Sequence, residues 1–81
     1  MGTISKHSIL EQLSQELPPV FARAAVSRFL PGIYEPQTLC NMESQGSGPP
    51  STKIGKKVCY ERDSFLQWLG EKIQDADEKE N

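Results

Sequence analysis

The chain is poor in the side chains that hold metals or cross-link a fold. It has two cysteines, Cys40 and Cys59, far apart in sequence, and one histidine, His7. A structural zinc site needs four ligands at close spacing, so no metal is expected. Both thiols are expected to be free in a reducing compartment. No apolar run approaches the roughly 18 residues that a membrane-crossing helix requires. The first residues, Met-Gly-Thr-Ile-Ser-Lys-His, lack the apolar core of a secretion signal. The expected location is therefore the cytoplasm, without a membrane partner. A nucleophilic cysteine needs a base beside it, and His7 stands alone near the start of the chain. The expectation is a protein that is no enzyme and takes no cofactor or small-molecule ligand.

An excess of positive charge is also missing, since the 81 residues carry a formal net charge of −2. The distribution says more than the total. Residues 1–17 hold Lys6 against Glu11 and Glu16, and residues 73–81 hold Lys79 against Asp75, Asp77, Glu78 and Glu80. The middle of the chain, residues 18–72, has seven basic and five acidic side chains and is net positive. The acid lies at the ends and the base in the centre. A single domain of this length buries only about 60% of its unfolded surface, which leaves little room for a supported catalytic cleft.

The apolar spacing sets out the elements. Ile9, Leu10, Leu13 and Leu17 make one stripe of a short helix from about Ser8 to Leu17, with Ser8 as its cap and Glu11 completing a capping box. Pro18-Pro19 ends it. Phe21, Ala25, Val26, Phe29 and Leu30 form the inner face of a second helix from Val20 or Phe21 to Leu30, which Pro31-Gly32 stops. A third helix spans 35–45, with Pro36 at its first turn and Gly46 as its C-terminal cap. Its Leu39 and Met42 point inward. Residues 46–52 are a loop, and the stretch from Lys53 to Tyr60 reads as a β-hairpin turning at Gly55, with Val58 and Tyr60 on the buried face and Cys59 outward. A last helix runs from Glu61–Asp63 to Gln74, with Phe65, Leu66, Leu69 and Ile73 inward and Trp68 packed beside Tyr60. Three units follow: an N-terminal segment 1–17, a domain 18–74, and a disordered acidic tail 75–81.

The order helix, turn, helix, hairpin, helix is the winged helix-turn-helix layout: mainly α, with three to four helices and a two-stranded wing. Such a pair can place its second helix in the major groove of DNA and its hairpin on the adjoining backbone or minor groove. Gln37, Thr38, Asn41 and Gln45 lie outward on helix 35–45 as candidates for base edges, because amides read adenine in two hydrogen bonds and Thr meets the thymine methyl. Lys53, Lys56 and Lys57 cluster at the hairpin tip as candidates for phosphates, with Arg23, Arg28 and Arg62 as further cations. Each of these features has a plainer reading, as a solvated helix face or as lysines that blunt a strand edge.

The stretch Lys53-Ile54-Gly55-Lys56-Lys57-Val58-Cys59-Tyr60-Glu61-Arg62, followed by Trp68-Leu69, resembles the wing and final helix of excisionase-like, AlpA-type regulators of the MerR-like winged helix-turn-helix branch. Gly46-Ser47-Gly48-Pro49-Pro50 resembles their Gly-x-Gly-Pro-Pro approach to the wing, and Ala22-Arg23-Ala24-Ala25-Val26 their first paired helix. The resemblance covers about residues 19–70. It implies double-stranded DNA as partner, a phage or mobile-element setting, and a role in excision or transcription control, with an integrase or further copies of the chain beside it on DNA. The turn Pro31–Pro36 is longer than the family's, and helix 35–45 lacks its basic residues. The competing reading is a protein-interaction module that docks an integrase or a polymerase subunit without strong DNA binding of its own.

Overall fold

A computed structural model describes residues 5–73. Among them are α1 (Lys6–Glu16), β1 (Val20–Ala22), a 3₁₀ turn (Arg23–Ala25), α2 (Val26–Phe29), α3 (Pro36–Ser44), β2 (Thr52–Ile54), β3 (Lys57–Glu61) and α4 (Arg62–Lys72). The result is a small mixed α/β fold of four α-helices and a three-stranded antiparallel sheet in the order β1-β3-β2. The expected acidic tail, 75–81, lies outside the described residues. Among those described, no helix is long and apolar enough to cross a membrane.

Five expectations need correction. α1 begins two residues before Ser8, because Ser5 is the better-placed cap: its hydroxyl accepts the Ser8 N–H at 3.1 Å, the N-cap to N3 bond that satisfies a free donor. The helix expected over 20–30 is instead a strand, a 3₁₀ turn and one short helix. Phe21 gains an antiparallel partner in Tyr60, and Val20 and Ala22 pair with Glu61 and Cys59 on either side of it. β-Branched and aromatic side chains suit a half-buried pleated surface. The inner face survives the change, since Phe21, Val26 and Leu30 are all buried.

The two-stranded wing is consequently part of a three-stranded sheet with β3 at its centre. That arrangement also overturns the outward placement of Cys59. Cys59 is only 6% exposed, with Ala22 and Thr52 flanking it from the two neighbouring strands. Val58 is the less buried of the two, as β1 ends opposite Cys59 and leaves Val58 beyond its cover.

The core joins sheet and helices through aromatic rings. Phe21 meets Phe65 edge-on at 5.1 Å and Tyr60 at 5.7 Å between centroids, and Phe65 packs on Trp68 at 5.6 Å. Trp68 is buried as expected, but its ring neighbours are Phe65 and Tyr34 rather than Tyr60, because Phe65 stands between the two; its indole N–H donates to the Ser47 carbonyl at 3.0 Å. This bond ties the loop after α3 to α4 and satisfies a buried donor. α1 lies against α4, where Gly70 admits it: a Cβ on Gly70 would stand 3.2 Å from a methyl of Leu10. Leu17, at the end of α1, is part of the core. The N-terminal helix is thus packed on the rest.

Candidate nucleic-acid interface

α3 is fixed at both ends and along one side. Pro36 occupies its first turn, where the missing N–H costs nothing. At the other end Gly46 adopts φ +82°, its N–H donates to the Glu43 carbonyl at 3.1 Å, and the Ser47 N–H donates to the Met42 carbonyl at 2.9 Å. These two bonds make a Schellman motif, which needs a left-handed residue that glycine supplies without strain. Leu39 is fully buried and holds the inner side. The helix therefore presents Gln37, Thr38, Asn41 and Gln45, all exposed, on a firm backbone. Gln37 and Asn41 stand one turn apart, and the Gln37 amide donates to Asn41 Oδ1 at 3.1 Å. Two primary amides aligned in this way offer both donors and acceptors to a partner.

The β2–β3 hairpin closes through a two-residue turn, with Ile54 paired to Lys57. Gly55 has φ +64°, and Lys56, like every non-glycine described, has negative φ. Positive φ at the first central position alone is the pattern of a type II′ turn, whose twist matches that of the strands. Lys53, Lys56 and Lys57 are exposed around this turn. The structure brings these three cations together at one tip.

The arginines are placed differently. Arg28 is exposed on α2. Arg62 follows β3 at the end away from the turn, roughly 16 Å along the strand from Lys57 at about 3.3 Å per residue. Its Nε stands 3.4 Å from Asp63 Oδ1. It is not part of the lysine cluster. Arg23 is half-buried, and its Nη1 donates to Glu43 Oε1 at 2.8 Å, with the two side chains 24% and 19% exposed.

Glu43 is the member of this region that sequence reasoning missed. One carboxylate oxygen takes Arg23, from the 3₁₀ turn, and the other accepts the hydroxyl of Tyr60, from β3. Burial raises the Tyr60 pKa well above the ordinary tyrosine value, and the hydrogen bond to Glu43 and the negative charge of Glu43 raise it further. Gly48 lies over the same residue: a Cβ there would come within 2.6 Å of Glu43 Cγ and 3.0 Å of its backbone nitrogen. A signal was present in the sequence. Glu43 stands four residues after the buried Leu39 and so shares its face, and an acid on an inward face calls for a hydrogen-bonded partner.

A groove of about 210 Å³ lies where α3 begins and the wing's second strand begins, lined by Ala22, Arg23, Ala24, Pro36, Lys57 and Val58. A second, of about 550 Å³, opens along α1 between Ile9, Leu13, Leu30 and polar residues of that helix. Among the described residues, no three His, Cys, Asp or Glu side chains come together to hold a metal ion. Set against known proteins, the chain matches no family model, no curated sequence and no solved structure.

Proposed function

We propose that this protein is a winged helix-turn-helix module that binds double-stranded DNA, with α2 and α3 as the paired helices and β2–β3 as the wing. The observation that carries this reading is the conjunction of two surfaces. A capped helix presents a wholly polar face of amides and a hydroxyl, and a tightly turned hairpin presents three lysines. The start of that helix and the start of that hairpin's second strand border one groove. In this reading Gln37, Thr38, Asn41 and Gln45 face base edges in the major groove. Lys53, Lys56, Lys57 and Arg28 meet phosphates. Arg23 and Arg62, each already beside a carboxylate, add less net charge. The helix carries no Arg or Lys on its outward face, so its selectivity leans toward A·T pairs or toward contacts through water.

The resemblance of residues 53–69 to excisionase-like regulators gives the biological form of the proposal: a factor of a phage or mobile element that acts on DNA directly, in excision or in transcription control, and performs no catalysis. The test is selection from fragments of the gene's own genomic neighbourhood, at low and at physiological salt. Selective retention that weakens with salt is the expected result. A folded protein that retains no fragment at either salt contradicts the proposal. One observation favours the alternative, a module that docks a protein partner: Ile9, Leu13 and Leu30 line an open groove beside α1. Loss of partner binding on Ile9→Asp, with DNA binding absent throughout, would support that reading instead.

A further inference from the structure

The groove between α3 and the wing has a consequence for how DNA would lie on the protein. A helix in the major groove and a hairpin in the adjacent minor groove must straddle the phosphodiester strand that separates the two grooves. The structure has one groove lined both by the first residue of α3, Pro36, and by the first residues of β3, Lys57 and Val58. Its remaining lining is Ala22, Arg23 and Ala24. The alanines are short enough for a sugar-phosphate backbone to come close to the protein main chain.

Two cations border this groove, and they differ in kind. Lys57 is exposed and brings a full charge. Arg23 is held at its Nη1 by Glu43 at 2.8 Å. A guanidinium has donors on three nitrogens, so the ion pair fixes the group and leaves its chemistry suited to a second acceptor. An arginine already immobilised loses less rotamer freedom when it meets that acceptor. Glu43 offsets most of the Arg23 charge, so Lys57 supplies the net attraction and Arg23 the fixed donors.

We infer that the groove lined by Ala22, Arg23, Ala24, Pro36, Lys57 and Val58 seats a backbone phosphate of bound DNA, recognised by Lys57 and by the Arg23 guanidinium that Glu43 holds in place. The inference rests on the DNA reading and adds to it a position on the protein that the strand between the two DNA grooves must cross. It also gives the Arg23–Glu43 pair a role beyond joining two elements.

The test uses Ala24, which is exposed, lines the groove and lies outside the hydrophobic core. Ala24→Glu places a negative charge at the groove, and Ala24→Gln adds the same bulk without charge. Binding of both variants and the native chain to one labelled duplex is followed by fluorescence anisotropy across a salt series, with thermal melts to verify the fold. The expected result is that Ala24→Glu binds about tenfold or more weakly than Ala24→Gln at low salt, with the gap closing as salt screens it. Lys57→Ala should lower the slope of log K against log salt by about one. Equal affinity of Ala24→Glu and Ala24→Gln, whether both match the native chain or both are weak, overturns the phosphate seat. It does so while the native chain's own binding keeps the DNA reading standing. A native chain that binds no duplex overturns the DNA reading, and the seat with it.

Discussion

Glu43 takes a donor on each of its carboxylate oxygens, one from Arg23 and one from Tyr60, and so connects α3 to the 3₁₀ turn and to the central strand. Removing one partner should cost more than the bond alone, since even a half-buried acceptor left unpaired carries part of a desolvation penalty that reaches about 1–3 kcal/mol for a buried one. Tyr60→Phe should therefore lower the unfolding free energy by about 1–2 kcal/mol, measured by urea denaturation. The same contact has a pH signature. Tyr60 keeps its proton more firmly in the fold than in the unfolded chain, where its pKa is the ordinary 10.0. The unfolded state then binds fewer protons above that pH, so stability is full below about pH 10 and falls as pH rises beyond it. Tyr60→Phe should remove this part of the alkaline loss; an unchanged alkaline limb would show that Tyr60 titrates freely. Gly48→Ala should destabilise by about 1–3 kcal/mol, as for other overpacked sites, because the added Cβ meets the Glu43 backbone as well as its side chain. A melting temperature unchanged by Gly48→Ala would contradict this packing.

The elements show how far local sequence carries. α3 was legible because proline at its start, glycine past its end and the inward Leu39 all agree on one helix. The turn at Gly55 was legible for the same reason: two residues between short alternating runs leave little choice. β1 was not legible. Phe21, Val26 and Leu30 fit a helical stripe, and what decides against a helix is a hydrogen-bonded partner, β3, whose Tyr60 arrives long after Phe21 in the chain. Cys59 was misplaced for a related reason, since its burial depends on a third strand that alternation within the hairpin cannot reveal. At this scale the wing's rigidity is testable. Gly55→Val should strain the left-handed position and cost about 1–2 kcal/mol. Its effect on the hairpin should appear as loss of amide protection in β2 and β3, with α1 and α4 unchanged. Equal loss in all elements would mean that the hairpin does not open on its own.

The whole molecule combines an acidic total with a basic tip. Long-range charge does not draw a protein of net charge −2 to DNA, so the proposed binding depends on where the cations stand. The lysine cluster was legible from residues 53–57 alone. The separation of Arg62 from it, and the capture of Arg23 by Glu43, were not, because both follow from the fold. The proposal that this chain binds DNA through its wing is tested most directly by the salt dependence of duplex binding, compared between the native chain and the double variant Lys56→Ala, Lys57→Ala. Binding that weakens with salt is expected, with a slope of log K against log salt that is shallower in the variant by up to about two. A variant with the affinity and slope of the native chain would contradict it.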